Sequence, residues 1–140
     1  MNTRLDTVSQ SDNEVQPPRY LKYVSPEKAD ELYEQILNIL VVKKRYRDAQ
    51  YSARRLADDL GTNTRYVSIV LNTRFHANYN TFVNKLRIDY ARSVLTDRRY
   101  ENLKMEDVAT LSGFSNRQSF YSAFNKFVKM SPIDYRKRYK

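Results

Sequence analysis

Arg65, Ser68, Ile69 and Asn72 recur as Gln118, Tyr121, Ser122 and Asn125, with the same internal spacing in each set. On a helix that spacing places each set along one face. Except for Ile69, every side chain carries a hydrogen-bonding group, and such groups on a helix suit the base edges and phosphates of a DNA major groove. Other chemistry has little to work with. The absence of Cys excludes disulfides, thiolate zinc sites and cysteine catalysis, and the single His, His76, leaves no histidine-based metal cluster. With 2 Gly there is no glycine-rich phosphate loop. The acidic pairs Asp58-Asp59 and Glu106-Asp107 fall in short predicted helices, where solubility and the helix dipole account for them. No catalysis, metal or cofactor is expected.

The elements that position the two sets are themselves repeated. Leu56-Ala57-x-x-x-Gly61 and Val108-Ala109-x-x-x-Gly113 share their internal spacing, 52 residues apart. In each, a short helix ends at Gly, a tight turn follows, and a second helix is anchored by an apolar residue, Val67 and then Phe120, with Leu71 and Phe124 continuing the buried side. This is helix-turn-helix geometry: Gly takes the left-handed turn without Cβ strain, Ala permits close approach of helices, and the anchor fixes the angle of the second helix.

Around the repeat the chain divides readily. Residues 1–24 hold isolated apolar positions and Pro17-Pro18, too little surface to offset ordering entropy, so a disordered N-terminal arm is expected. Ser25-Pro26-Glu27 starts a helix over about 26–44, within an N-terminal helical region 25–48; its apolar stripe is Ala29, Leu32, Tyr33, Ile36, Ile39 and Leu40. That stripe covers the first helix-turn-helix unit, with dimerisation through 26–44 left open. The remainder, 49–140, reads as one domain. It holds a first helix-turn-helix at about 52–74, a linker helix at 78–95 with the stripe Tyr79, Phe82, Val83, Leu86, Tyr90 and Val94, a second helix-turn-helix at 104–127, and a C-terminal helix at 131–138. Ser115 and Gln118 have the spacing of a capping box ahead of the last motif. The fold class is therefore all-α: two helix-turn-helix subdomains joined by a long linker helix and preceded by an extra N-terminal helix.

Composition agrees. At 140 residues there is room for one ordinary domain, and 25 Lys+Arg against 16 Asp+Glu give a net charge of +9. The most apolar run, residues 36–42, is far short of the roughly 20 residues that span a bilayer. A cytoplasmic protein with a polyanionic partner and no membrane contact is expected. Seven basic residues against Asp134 alone lie in 112–140, so the second motif should supply much of the salt-sensitive affinity. The run Arg136-Lys137-Arg138 reads as a solvated tail.

Taken together, Leu56-Ala57-Asp58-Asp59-Leu60-Gly61, the linker segment Leu86 to Leu95, the run Val108 to Phe124 and the ending Met130-Ser131-Pro132-Ile133-Asp134-Tyr135-Arg136 resemble the AraC/XylS-type transcription regulators over about residues 50–138. The resemblance implies that the helices starting near Asn63 and Asn116 enter successive major grooves of double-stranded DNA. It places base contacts at Arg65, Ser68 and Ile69, and at Arg117, Gln118, Tyr121 and Ser122. Ile69 stands where the family is often polar and would offer only apolar contact to a thymine methyl, or else pack into the core. Thr64, Asn116 and Lys126, near helix ends and flanks, suit phosphates. His76 and Lys129 replace the family's usual Gly after each recognition helix, and Lys104 replaces its usual capping Thr or Ser. The implied function is a sequence-specific activator that binds as a monomer, with RNA polymerase as a further partner. The alternative is an interaction module that docks on polymerase or another regulator and binds DNA only nonspecifically. Only an arm and one helix precede the resembling segment, so no ligand-sensing domain is expected in this chain.

Overall fold

Among the described residues, six of the seven α-helices start at a Ser or Asn whose side-chain oxygen accepts the backbone N–H three residues on: Ser25, Ser52, Asn63, Asn78, Asn116 and Ser131. Each such bond satisfies one of the donors that a helix leaves orphaned at its N-terminus. The computed structural model describes residues 24–140. The helices are α1 (Pro26–Leu37), α2 (Ala53–Leu60), α3 (Thr64–Phe75), α4 (Tyr79–Leu95), α5 (Met105–Ser112), α6 (Arg117–Val128) and α7 (Pro132–Tyr139), with no strand among the described residues. The all-α expectation, with two helix-turn-helix units on one linker helix, is met. The arm expected over 1–24 lies outside the described residues apart from Val24.

The repeat closes both motifs in the same way. Thr62 N–H bonds back to the Ala57 carbonyl and Phe114 N–H to the Ala109 carbonyl, each at 2.9 Å, with Gly61 and Gly113 left-handed between them. The cap before α6 is Asn116, which accepts from Ser119 N–H, so the capping box expected at Ser115 does not form. Asn116 is the residue in the extended conformation, φ −157° and ψ 168°, that an N-cap requires.

Helix α1 is shorter than its apolar periodicity suggests. After Leu37 the coil widens into one π turn over Asn38–Val42, Lys44 turns left-handed, and a 3₁₀ turn covers Arg45–Arg47. The break carries Tyr46 inward, where its ring meets Tyr90 edge to face, centroids 6.3 Å apart. The α1 side chains Leu32, Ile36 and Leu40 lie in the same apolar core as Leu56, Val67, Val70 and Leu71, so the face of α1 is covered within its own chain.

A second core gathers Val108, Phe114, Phe120, Phe124 and Tyr135. Helix α4 serves both. Tyr79, Phe82 and Val83 enter the first core, whereas Ile88, Ala91, Val94 and Leu95 enter the second. The single stripe expected along this helix is therefore corrected. Leu86 and Tyr90 are half-buried, and the buried face rotates midway because the two cores lie on different sides of the helix.

His76 and Lys129 adopt the left-handed conformation despite their side chains, with φ of 56° and 68°. Left-handed backbone costs a non-Gly residue roughly 1–2 kcal/mol, partly offset by the extra entropy that Gly loses on folding. Lys104 precedes α5 and makes no capping bond. We expect Lys129→Gly to stabilise the fold by about 0.5–1 kcal/mol, and Lys104→Ser to add roughly 0.5–2 kcal/mol through a new cap. Urea unfolding of the two variants measures both, and a lower midpoint in either would contradict the assignment.

Candidate nucleic-acid interface

Helices α3 and α6 are the second helices of the two motifs, each held from behind by its anchor. Val67, Val70 and Leu71 bury one side of α3, and Phe120, Ala123 and Phe124 one side of α6. The opposite sides are polar. Arg65, Ser68 and Asn72 on α3, and Arg117, Gln118, Ser122 and Asn125 on α6, are all exposed. Tyr121 is half-buried, its ring against Phe120 with centroids 5.9 Å apart, so its hydroxyl end rather than its face is what it can offer.

Ile69 packs into the core, the alternative to the base contact expected of it. It lies at the spacing of the outward set, yet it is only 2% exposed, and it has no surface to present to a base. Covering such a side chain is worth roughly 1.5–3 kcal/mol, which favours a buried place over contact with a thymine methyl. The outward set on α3 is therefore Arg65, Ser68 and Asn72.

The candidates for phosphate contact sit at the margins of these faces. Thr64 is the first residue of α3, and Asn116 caps α6 with its carbonyl oxygen while its NH₂ has no bond among the described residues. Lys126 is exposed near the C-terminal end of α6. Arg117 approaches Glu106 at 4.0 Å, an exposed and weak pairing that leaves the guanidinium available.

Several other cations are engaged by groups of the protein itself. Arg74 pairs with Asp30 and so ties α3 to α1. Arg92 donates to the Tyr135 hydroxyl at 3.2 Å. Arg136 donates to the carbonyls of Leu103 and Tyr100, so the run Arg136-Lys137-Arg138 is not simply a solvated tail. Only Lys137 and Arg138 of the three are exposed.

Arg87 fixes how the two motifs sit together. Its guanidinium donates to the carbonyls of Tyr46 at 2.6 Å and Asp48 at 3.3 Å and lies 5.8 Å from the centre of the Phe114 ring. Burial pushes its pKa down, but the carbonyls compensate the charge that burial would otherwise penalise. Gly113 packs against the same turn, where a Cβ would strike the Tyr46 carbonyl, the Arg47 Cα and Arg87. Nearby, burial raises the pKa of Tyr79 to about 12, and burial together with a 2.5 Å bond to Asp59 raises that of Tyr51, so both phenols stay neutral structural groups.

Sequence reasoning missed a polar cleft of about 490 Å³ between the start of α4 and the flank of α6, lined by Asn78, Asn80, Thr81 and Asn84 opposite Gln118, Ser122 and Lys126. The signal was present as a polar side of the linker helix opposite Phe82 and Val83. It could not be placed against α6 without the fold.

The sequence matches the family described as Helix-turn-helix domain over residues 56–138. It is 30% identical over 82 residues to the melibiose operon regulatory protein of Escherichia coli K12; the match covers 59% of this chain and 26% of that protein. The chain thus spans about a quarter of the length of that relative. Among solved structures, the C-terminal domain of the two-component response regulator yesN from Fusobacterium nucleatum is similar, with a TM-score of 0.67 and 25% identity over 76% of this chain and 98% of that one. An AraC-type transcriptional regulator from Chromobacterium violaceum shares the fold, with a TM-score of 0.65 at 14% identity over 80% of this chain and 95% of that one.

The two motif glycines should respond differently to substitution. Gly61 has open space where a Cβ would point, so Gly61→Ala meets only backbone strain and costs up to about 1 kcal/mol. Gly113→Ala adds overpacking against the Tyr46 turn, for a total of about 1–4 kcal/mol. Denaturant titration compares them, and equal losses would refute the clamp.

Proposed function

This chain belongs to the AraC-type family of helix-turn-helix DNA-binding domains, a non-enzymatic family of transcription regulators, and from that membership we propose that it reads a specific asymmetric duplex site. One observation carries the reading: two exposed polar helix faces, on α3 and α6, stand on a single linker helix that is built into both cores. A chain with two readers needs no second copy to span successive major grooves, about 34 Å apart along the duplex. It therefore binds as a monomer. Arg65, Ser68, Arg117, Gln118, Tyr121 and Ser122 contact base edges, and Thr64, Asn116 and Lys126 hold phosphates. The Escherichia coli relative is an operon regulatory protein, which supports transcriptional control, and we assign activation through contact with RNA polymerase.

Selection of duplexes from a random pool at physiological salt tests the reading. Enrichment of one asymmetric site spanning two adjacent major grooves, bound about a thousandfold more tightly than random DNA, is the expected result. Arg65→Ala and Gln118→Ala should each relax preference at their own positions. Lys126→Ala should weaken all duplexes alike and reduce the salt slope by about 1. If no sequence is enriched, the chain is instead a docking module with nonspecific DNA affinity.

A further inference from the structure

We propose that the cleft between the first turns of α4 and the flank of α6 is a seat for the DNA phosphate backbone that passes between the two major grooves. The inference rests on the reading that duplex DNA lies across α3 and α6, and it adds the linker helix, through Asn78, Asn80 and Asn84, to the contact surface.

The orientation of the amides carries the argument. Asn78 uses its side-chain oxygen to accept Thr81 N–H at 2.8 Å, and Asn84 uses its oxygen to accept from Arg87 at 3.4 Å. With each oxygen turned toward that internal donor, the ends left over are NH₂ donors, and neither has a partner among the described residues. Asn80 is exposed beside them, and Lys126 closes the cleft from α6. Two oriented amide donors and one cation, beside hydroxyls that can donate as well as accept, suit an acceptor-only anion such as a phosphodiester.

The lining also lacks what would repel that ligand. Among the described residues, no Asp or Glu borders this cleft. Three further surface clefts, around Asp97 and Glu101, around Asp58, and around Asp89, each present a carboxylate.

Helix α4 begins directly after α3, separated by residues 76–78, and the cleft shares Gln118 and Ser122 with the outward face of α6. If α3 and α6 occupy successive major grooves, the strand between those grooves must cross the interval between the helices, and the start of α4 fills that interval. Contacts there go to phosphate and carry no base information, so they set the register of the two readers on the duplex. Because the amides are neutral, they bind without releasing counterions, and their loss should leave the salt dependence unchanged.

The test uses the full chain, the duplex enriched by selection, and a random duplex of equal length. Asn80→Asp sets a carboxylate against the backbone at an exposed position that has no role in capping. It should weaken binding to both duplexes about tenfold, the scale of one lost charged hydrogen bond. Asn80→Ala combined with Asn84→Ala should weaken both several-fold with an unchanged salt slope and unchanged base preference, in contrast to Lys126→Ala. Uncharged methylphosphonates placed one at a time between the two half-sites should remove the difference between the wild type and Asn80→Asp at one or two positions. Binding of Asn80→Asp within twofold of the wild type on both duplexes overturns the seat, as does a methylphosphonate scan with no effect between the half-sites. Loss of binding on random DNA without any enriched site sinks the sequence-specific function and leaves the seat standing.

Discussion

The guanidinium of Arg87 is the interaction on which the arrangement of the two motifs depends. It sits midway along α4 and bonds to the carbonyls of Tyr46 and Asp48, while the turn that carries those carbonyls lies against Gly113. A half-buried cation needs acceptors, and backbone carbonyls supply them without introducing a second charge to desolvate. The consequence is geometric. The segment after α1, the linker helix and the turn of the second motif are drawn to one point, so the angle between α3 and α6 is set by packed groups and not by a flexible hinge.

That junction explains the region before the first motif. Lys44 accepts a left-handed conformation and α1 ends in a π turn, both locally unfavourable, so that Tyr46 can reach Tyr90 and Arg47 can lie 3.7 Å over the same ring. Helix α1 is thereby part of the first core and also the lead-in to the clamp.

Charge is divided between structure and surface in a way that the net value of +9 conceals. Arg74, Arg87, Arg92 and Arg136 each serve a neighbouring carboxylate, carbonyl or phenol. Arg65, Arg117 and Lys126 remain on the two outward faces. The polar groups available for nucleic acid are consequently more often amides and hydroxyls than the composition suggests. A surface of that kind holds a backbone by directed hydrogen bonds as well as by counterion release.

The sequence by itself determined what depends on neighbours a few residues away. Ser25 announced a helix start because a cap acts over three residues, and the Ala–Gly repeat announced two turns closed at a left-handed Gly because that closure is a local property. Those signals sufficed for an all-helical, two-motif fold and for most of the outward residues on α3 and α6. The rest was decided by contacts between distant parts of the chain. Arg87 meets a carbonyl 41 residues away. The buried face of α4 rotates because two cores claim it, Ile69 is covered although its spacing points outward, and Asn80 and Asn84 meet α6 only through the folded junction. Periodicity assigns one face to each helix, but which groups share a surface, and which cations stay free, is set by how the helices pack.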